Sequence, residues 1–377
     1  MANPFKPTFG ASPPLLAGRN ELIAEFTEAL LDGPGSAGRA TLYTGARGAG
    51  KTVLLNEIEA TAKGQGWIVV SETATSGLIG RLTQSRLPEL LRQFDPDAIR
   101  RRLTGIRLPF SGGGGLDWET LESHVVKVDL RGQLNLLTDL LTENETGLLI
   151  TLDEVHRNQI GELRELATSV QHAFREDREL AFAAAGLSSS ISDLLQDDVL
   201  TFLRRADRHH LGPVDLDEVR RGLEDPINQG GRTVAPDALE LMVKSTQGYP
   251  FLIQLVGSHC WRVQRDAKVI SLEDAETGIE SARRRLGSLV HAPALKNCSE
   301  VDRSFLLAMA EDDGPTRTPD IATRLGVEKR YVSNYRQRLI DAELIEATRR
   351  GYVDFAVPYL RDYLRENAAS IISAKPS

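Results

Sequence analysis

Short apolar runs and helical patterns alternate along residues 13–212 of the chain. The runs are almost continuously apolar or small, as in strands that are buried on both faces of a sheet. Between them, apolar residues recur three or four positions apart, which predicts helices. This alternation predicts an α/β unit in which helices cover a parallel sheet. The predicted strands are Ala40–Thr44, Trp67–Thr73, Gly147–Leu152, Leu180–Ala185 and His209–Val214.

The strand pattern ends near residue 212, and helical spacing takes its place. Ser271 and Asp274 have the spacing of a capping box, which predicts a helix running to Leu289. A break is predicted at His291-Ala292-Pro293. The predicted units are residues 1–12, a flexible arm; 13–212, the α/β unit with an insertion at about 80–118; 213–292, a helical unit; and 293–370, a C-terminal unit.

Composition limits the class of protein. With 377 residues, 41% hydrophobic and 26% charged, the chain has the composition of a globular protein of two or three domains. No stretch approaches the roughly 18 apolar residues of a membrane span, and the N-terminus lacks a signal-peptide core. Two cysteines, Cys260 and Cys298, are too few for a disulfide framework. We therefore expect a cytoplasmic protein without a membrane partner.

The net charge of −8 argues against a protein that coats nucleic acid, because non-specific binding needs a broad basic surface. It permits a small basic module on an acidic body.

A glycine-rich motif of the form G-x-x-x-x-G-K-T follows the first predicted strand and precedes a helical pattern. In this arrangement, backbone N–H groups and the N-terminus of the helix surround phosphates. Lys51 would supply charge to the β- and γ-phosphates, and Thr52 would offer its hydroxyl to Mg²⁺. The motif predicts a site for a nucleoside triphosphate and Mg²⁺, and we call it the P-loop. The candidate nucleotide-binding residues here are Gly45, Ala46, Arg47, Gly48, Ala49, Gly50, Lys51, Thr52 and Val53.

Two carboxylates end the third predicted strand, at the sheet edge where open parallel sheets bind ligands. Asp153 would hold Mg²⁺, directly or through water, and Glu154 would polarise the attacking water. A helix that starts with acidic residues is the alternative interpretation.

With both motifs in place, the chain resembles the AAA+ superfamily, and within it the origin-recognition-complex-like AAA ATPases and the STAND nucleotidases. The resemblance covers residues 13–290 and implies ATP as the nucleotide, ADP as its product, and ATPase activity. The segment Leu16–Leu22 is similar to a Gly-Arg-x-x-Glu-Leu stretch before the first helix. Base contacts from Leu16 and Arg19 are implied, and a simple helix cap at Asn20 is the alternative.

The resemblance also implies contacts from two later turns. A polar sensor of the γ-phosphate is implied at Ser188 or Ser189, where serines also serve as helix caps. The helical unit would be a lid, because Gly248-Tyr249-Pro250 resembles the Gly-x-Pro turn that closes on the base. Tyr249 and Pro250 would then contact the nucleotide, unless the segment is a plain interhelical turn. The sensor arginine typical of such lids is not evident near this turn.

Arg204 or Arg205 corresponds to an arginine finger that acts on the nucleotide of a neighbouring subunit, or else to a solvated basic helix end. A finger would imply a nucleotide-dependent homo-oligomer. His209-His210 lacks partners at metal-ligand spacing and is interpreted as structural, and the lone His156 is weak support for any role.

The C-terminal unit has the pattern of a winged helix. A capped helix over Thr318–Leu325, a closing Gly326 and a second helix over Val327–Leu339 give a helix-turn-helix, and Gly351 lies at the tip of a hairpin. The second helix and the hairpin carry cations and an aromatic ring suited to duplex DNA, although acids nearby leave a protein partner open. The candidate DNA-binding residues are Lys329, Arg330, Tyr331, Asn334, Arg336, Arg349 and Arg350.

The insertion is a second basic region, either a DNA- or partner-facing segment tethered by Ser111–Gly115 or a solvated, arginine-rich helix. Its arginines are Arg81, Arg86, Arg92, Arg100, Arg101, Arg102 and Arg107.

The sequence thus favours an ATP-driven switch that couples its nucleotide state to DNA binding or to assembly. Two alternatives stay open: a STAND-like signalling scaffold whose winged helix binds protein, and an accessory ATPase that loads a partner enzyme on DNA.

Overall fold

A parallel five-stranded sheet in the order β2-β3-β4-β1-β5 forms the centre of the first unit in the computed structural model. The structure describes residues 2–8, 10, 13, 16–94, 129–156, 159–196 and 201–373. The sheet and its covering helices confirm the predicted α/β class. The strands are β1 (Ala40–Thr44), β2 (Ile68–Thr73), β3 (Leu148–Val155), β4 (Leu180–Gly186) and β5 (Asp207–His210).

Helices cover both faces of this sheet, and one buried apolar cluster lies between the sheet and the helices on each face. A short 3₁₀ turn, Thr201–Arg205, precedes β5. The helices are α1 (Asn20–Leu31), α2 (Lys51–Gly64), α3 (Leu78–Arg81), α4 (Leu87–Phe94), α5 (Leu130–Glu143), α6 (Ile160–Arg175) and α7 (Ser188–Gln196).

The position predicted for the fifth strand is wrong. β5 occupies Asp207–His210 at the edge of the sheet, and its side chains alternate between half-buried and exposed. The apolar residues that suggested a strand, Leu211 and Val214, instead belong to two different cores, one under the sheet and one in the lid. They are apolar because the chain crosses between two buried environments there.

The start of the predicted insertion is also corrected. A π-helical turn, Leu82–Arg86, joins α3 to α4, and Leu78, Leu82, Leu87 and Leu91 are all buried in the core of the α/β unit. This part of the chain is therefore integral to the fold.

Two of the insertion's arginines serve the fold in the same way. Arg81 and Arg86 pair with the buried Glu72 carboxylate at 2.7 and 3.2 Å. Ser111–Gly115 and the arginines from Arg100 to Arg107 lie outside the described residues.

The lid is helical, as predicted, and the capping box of Ser271 and Asp274 is present. The break expected at His291-Ala292-Pro293 is absent, because a π-helical turn, Gly287–His291, leads directly into the next helix. Pro293 lies in the first turn of that helix, where its missing N–H is tolerated. The elements are α8 (Leu216–Gln229), β6 (Thr233–Val234), α9 (Pro236–Thr246), α10 (Pro250–Val263), β7 (Val269–Ile270), α11 (Leu272–Leu286) and α12 (Ala292–Lys296).

The C-terminal unit combines helices with a three-stranded antiparallel sheet in the order β8-β10-β9. This order is consistent with a winged-helix-like domain. One continuous apolar cluster joins the unit to the lid. The elements are α13 (Glu300–Ala310), β8 (Thr316–Arg317), α14 (Thr318–Leu325), α15 (Lys329–Asp341), β9 (Ile345–Arg349), β10 (Tyr352–Phe355) and α16 (Leu360–Ser373), which kinks at Asn367.

The N-terminal arm is anchored wherever it is described, so its predicted looseness is wrong there. The Phe5 ring is buried against α10, where a β-carbon at Gly257 would overlap it. Asn3 Nδ2 donates to Ser258 Oγ at 3.0 Å, and the Lys6 N–H donates to Gln254 Oε1 at 3.0 Å. Within the described ranges, no helix is long and apolar enough to cross a membrane.

Phe5→Ala should lower the free energy of unfolding by about 3 kcal/mol, because it removes a buried ring and leaves a cavity in the lid core. Urea unfolding followed by circular dichroism measures the change. The neighbouring exposed Lys6→Ala is the control and should change little. Equal, small effects for the two variants would mean that the arm does not contribute to the lid core.

Candidate nucleotide site

The P-loop connects β1 to the N-terminus of α2, which begins at Lys51. Gly48 and Gly50 have φ values of 83° and 91°, in the left-handed region that glycine adopts without strain. The Lys51 ammonium donates to the Ala46 carbonyl at 3.0 Å and also to the Gly45 carbonyl. Its charge is thus held inside the ring of backbone groups that would surround phosphates.

Burial lowers the pKa of the Lys51 ammonium, and the carboxylates of Glu343 and Asp153 oppose this shift. The lysine therefore lies in a partly desolvated site, where an anionic ligand would be held more strongly than in water.

Thr52 and Asp153 are 101 positions apart in the chain but are in direct contact. The hydroxyl of Thr52 donates to Asp153 Oδ2 at 2.6 Å. A hydroxyl and a carboxylate are the hard oxygen donors that Mg²⁺ prefers, and phosphates and water supply its remaining ligands. The donor set fits the predicted ion. Among the described residues, no group of three or more histidines, cysteines or carboxylates forms a separate metal site.

Glu154 departs from the regular backbone conformation and burial of β3. Its φ is 54°, its side chain is exposed, and the pairing of β3 with β4 shifts register between Leu152 and Val155. Bulges of this kind re-aim side chains beside active sites. The backbone N–H of Glu154 donates to Asp153 Oδ1 at 2.8 Å, which fixes the Asp153 carboxylate against the backbone of the bulge.

A further contact beneath the site was not predicted from sequence. Thr151, on β3, donates to Glu59 Oε1 of α2 at 2.5 Å, and both side chains are buried. This hydrogen bond ties the helix after the P-loop to the strand that carries Asp153. Glu59 follows the P-loop at the spacing of an ordinary helical residue, so no local pattern distinguishes it.

The lid reaches the P-loop through the predicted turn. Gly248 has a φ of 71°, and the buried Tyr249 donates its hydroxyl to the Arg47 carbonyl. Pro250 begins α10 and lines a cleft together with Ala46 of the P-loop. The turn thus contacts the P-loop directly, while the predicted contact of Tyr249 and Pro250 with a nucleotide base stays a prediction.

The segment before α1 connects the same two parts of the chain. Arg19 donates to the Gly212 carbonyl at 2.6 Å, and burial lowers the pKa of its guanidinium. Leu16 packs, half-buried, against the cluster under the sheet. Arg19 therefore lies at the connection between β5 and the lid, and the contact of Leu16 and Arg19 with a base stays a prediction.

The serines predicted as a γ-phosphate sensor are engaged by the C-terminal unit. The Ser188 N–H donates to Glu343 Oε1 at 2.7 Å, and the Ser189 hydroxyl donates to the Asp341 carbonyl at 2.7 Å. Together with Ala46 and Tyr249, Ser188 and Glu343 line a cleft of about 660 Å³. Sequence reasoning missed Glu343, since no motif surrounds it.

Comparison with known proteins agrees with this geometry. The family model of the AAA ATPase domain matches residues 15–182, and the model of a domain of unknown function (DUF8462) matches residues 288–364. No curated protein is significantly similar to the chain in sequence. Residues 15–182 form an AAA ATPase domain, and the protein is an ATPase.

Solved structures share the fold of this ATPase. The Walker-type ATPase of Pyrococcus abyssi is similar with a TM-score of 0.63 and 17% identity, covering 93% of this chain and 96% of that one. The ORC2 protein of Aeropyrum pernix, in its ADP form, is similar with a TM-score of 0.54 and 16% identity, covering 99% and 100%. At these identities the likeness concerns the fold alone.

The candidate finger residues of the ATPase lie on the turn before β5. Arg204 donates to the Leu195 carbonyl at 2.7 Å, and both Arg204 and Arg205 are exposed. His209 stacks on Tyr43 with 5.5 Å between ring centroids, and His210 contacts the Thr44 hydroxyl at 3.3 Å. These contacts support the structural interpretation of the histidine pair.

The candidate DNA-binding residues of the ATPase lie mostly at its surface. Arg330, Tyr331 and Asn334 on α15 are exposed, and Arg336 is half-buried. On the hairpin, Arg349 and Arg350 are exposed, and the Arg349 guanidinium lies 3.8 Å from the centroid of the Tyr352 ring. The side chain of Lys329 lies outside what the structure describes.

Gly48→Ala should destabilise the ATPase by more than the backbone cost alone, because the added methyl would overlap the Tyr249 ring as well as occupy a positive φ. Gly66→Ala is a matched control, since Gly66 has a φ of 85° but open space around its Cα. We expect a loss of about 1 kcal/mol for the control and about 3 kcal/mol for Gly48→Ala, measured by urea unfolding.

The same comparison in a Tyr249→Ala background should remove most of the difference between the two glycine variants. A difference that survives this change would mean that the lid turn does not meet the P-loop at Gly48.

Proposed function

We propose that this ATPase is a molecular switch whose nucleotide state controls duplex-DNA binding by its C-terminal unit, which we interpret as a winged helix. One observation carries the proposal: α15 connects the two sites. Its first turns bear the exposed Arg330, Tyr331 and Asn334, while its last residue accepts a hydrogen bond from Ser189 beside the P-loop. A ligand change at the P-loop therefore acts directly on the helix proposed to contact DNA.

The hydrolytic chemistry follows from the residues at the edge of the sheet. Lys51 would neutralise the β- and γ-phosphates, and Thr52 with Asp153 would hold Mg²⁺, which supplies charge neutralisation on the phosphate oxygens when bound. Glu154 is exposed toward solvent at a bulge, where it can orient and polarise a water. In a homo-oligomer, Arg204 or Arg205 of a neighbouring subunit would stabilise the charge that develops on the transferred phosphoryl group.

The charge distribution on α15 favours DNA over a protein partner. Asp341 and Glu343, two of the acids near the predicted recognition surface, lie at and beyond the C-terminal end of α15, whereas Arg330 lies in its first turn. Their carboxylates accept hydrogen bonds from Gln337 at 2.8 Å and from Ser188. The exposed cations of α15 and the hairpin are left to contact phosphates.

Two free, buried cysteines are compatible with the reducing cytoplasm in which we expect this protein to act.

Glu154→Gln should lower the rate of phosphate release from ATP by about 100-fold or more, because the amide cannot polarise the attacking water. ATP binding, measured by calorimetry, should change little. Glu165→Gln removes a charge from an exposed position on α6 and is the matched control. Normal turnover by Glu154→Gln would assign the general base to another residue.

The combined change of Arg330, Arg349 and Arg350 to Ala should weaken binding of a mixed-sequence duplex and lower the slope of log affinity against log salt by about one unit per lost phosphate contact. Fluorescence anisotropy at several salt concentrations, with ADP and with AMPPNP, measures both quantities. Arg175→Ala, an exposed arginine on α6, is the control. A wild-type protein without measurable affinity for duplex DNA in either nucleotide would support the signalling-scaffold alternative.

A further inference from the structure

The turn that follows α15 is held against the ATPase core by two hydrogen bonds. Glu343 accepts from the Ser188 N–H and Asp341 accepts from the Ser189 hydroxyl, both at 2.7 Å. Glu343 has a φ of 55°, which turns the chain sharply between α15 and β9. The turn therefore presents a carboxylate, rather than a neutral group, to the loop after β4.

The position of this loop places the carboxylate near the expected end of the phosphate chain. β4 lies between β1, which leads into the P-loop, and β3, which carries Asp153 and Glu154. Gly186 pairs with Thr44, the residue before the P-loop, and Ser188 follows two residues later. A group bound at Ser188 thus lies at the sheet edge between the phosphate-binding loop and the residues that would hold Mg²⁺ and water.

Two polar atoms in this contact have no partner in the part of the chain that the structure describes. Glu343 Oε2 and Ser188 Oγ are both buried without a hydrogen bond to any described residue. Buried polar atoms are rarely left unpaired, because each costs about 1–3 kcal/mol, so an unpaired pair beside a cleft indicates a place that a ligand completes or displaces. Both residues line the 660 Å³ cleft that also includes Ala46 of the P-loop.

Charge decides which ligand the closed arrangement tolerates. Glu343 lines the same cleft as Ala46 of the P-loop, and the Lys51 ammonium donates to the Ala46 carbonyl at 3.0 Å. Lys51 is the residue that would receive the β- and γ-phosphates. A terminal phosphate would bring further negative charge toward a carboxylate held in a partly desolvated site, where like charges repel more strongly than in water.

We propose that Glu343 makes the docked arrangement of the C-terminal unit selective for a nucleoside diphosphate and incompatible with a triphosphate. The inference rests on the proposed function, since it assumes that the P-loop binds nucleotide. The β-phosphate of ADP leaves the Ser188–Glu343 contact intact, whereas the γ-phosphate of ATP repels the carboxylate and takes over the Ser188 N–H. Release of this turn frees the C-terminal end of α15.

The test compares the full-length wild type with Glu343→Gln, binding ADP and the non-hydrolysable analogue AMPPNP in the presence of Mg²⁺. The glutamine keeps an oxygen that accepts from Ser188 and removes only the charge. Wild type should bind ADP more tightly than AMPPNP, and Glu343→Gln should reduce this preference by about tenfold. Glu366→Gln, at an exposed carboxylate on α16 of the same unit, is the charge-matched control and should behave as wild type.

Calorimetry gives both dissociation constants and separates the two possible failures. Absence of binding of either nucleotide to wild type would overturn the proposed function. Normal binding with the same ADP preference in wild type and Glu343→Gln would overturn the role of Glu343 while leaving the proposed function intact.

Small-angle X-ray scattering of the wild type provides a measurement that does not depend on the variant. The radius of gyration should be larger with AMPPNP than with ADP, because the C-terminal unit leaves the P-loop. A properly folded Glu343→Gln should show a smaller difference in radius between the two nucleotides than the wild type does. Identical scattering of the wild type with ADP and AMPPNP would overturn the proposal.

Discussion

The parallel pairing of β4 with β1 on one side and β3 on the other determines where every group of the nucleotide site lies. Because all three strands point the same way, three groups emerge at one edge of the sheet: the P-loop, the two carboxylates, and the connection from β4 to α7 that carries Ser188 and Ser189, called the serine loop. The hydrogen bond between Thr52 and Asp153, and the buried bond between Glu59 and Thr151, then hold α2 to β3. Loss of either bond would weaken the contact between α2 and β3, which are far apart along the chain.

The parts of this site that were predictable from sequence are those that carry their own local pattern. The P-loop needs glycines at fixed positions and a helix directly after them, and the carboxylates follow a continuous apolar strand. Most of the sheet was predictable for the same reason, since β1, β3 and β4 are largely buried and read as apolar runs. The fifth strand was misplaced because Leu211 and Val214 are buried for a different reason, in a connection between two cores.

Contacts between distant segments had no such pattern. Ser188 and Ser189 are ordinary polar residues after a strand, and their bonds to Glu343 and Asp341 span more than 150 residues. The anchoring of the arm by Phe5 is similar, because one aromatic residue among prolines does not indicate which surface will bury it. Local spacing predicts helices, strands and loops, whereas these contacts depend on how the separate units pack.

That packing also determines which parts of the chain move together. The lid and the C-terminal unit share one apolar cluster, and polar contacts reinforce it: Arg283 pairs with Asp362 at 2.8 Å, and the Tyr359 hydroxyl donates to the Ser245 carbonyl at 2.6 Å. The α/β unit has its own clusters. Separating the C-terminal unit from the lid would expose much apolar surface, whereas separating it from the serine loop breaks two hydrogen bonds, each worth about 1 kcal/mol, or somewhat more where the acceptor is charged.

The interface with the serine loop is therefore the weaker of the two boundaries. A repulsion of about 5 kcal/mol between states is enough to move a two-state equilibrium from almost fully closed to almost fully open. One added charge near a partly desolvated carboxylate can supply an energy of this order. The lid is packed against the C-terminal unit and should move with it. When the C-terminal unit leaves the serine loop, the contact of Tyr249 with the P-loop therefore either breaks or acts as the pivot of the movement. The arrangement thus links the nucleotide's terminal phosphate to the lid and to α15 through one boundary of low stability.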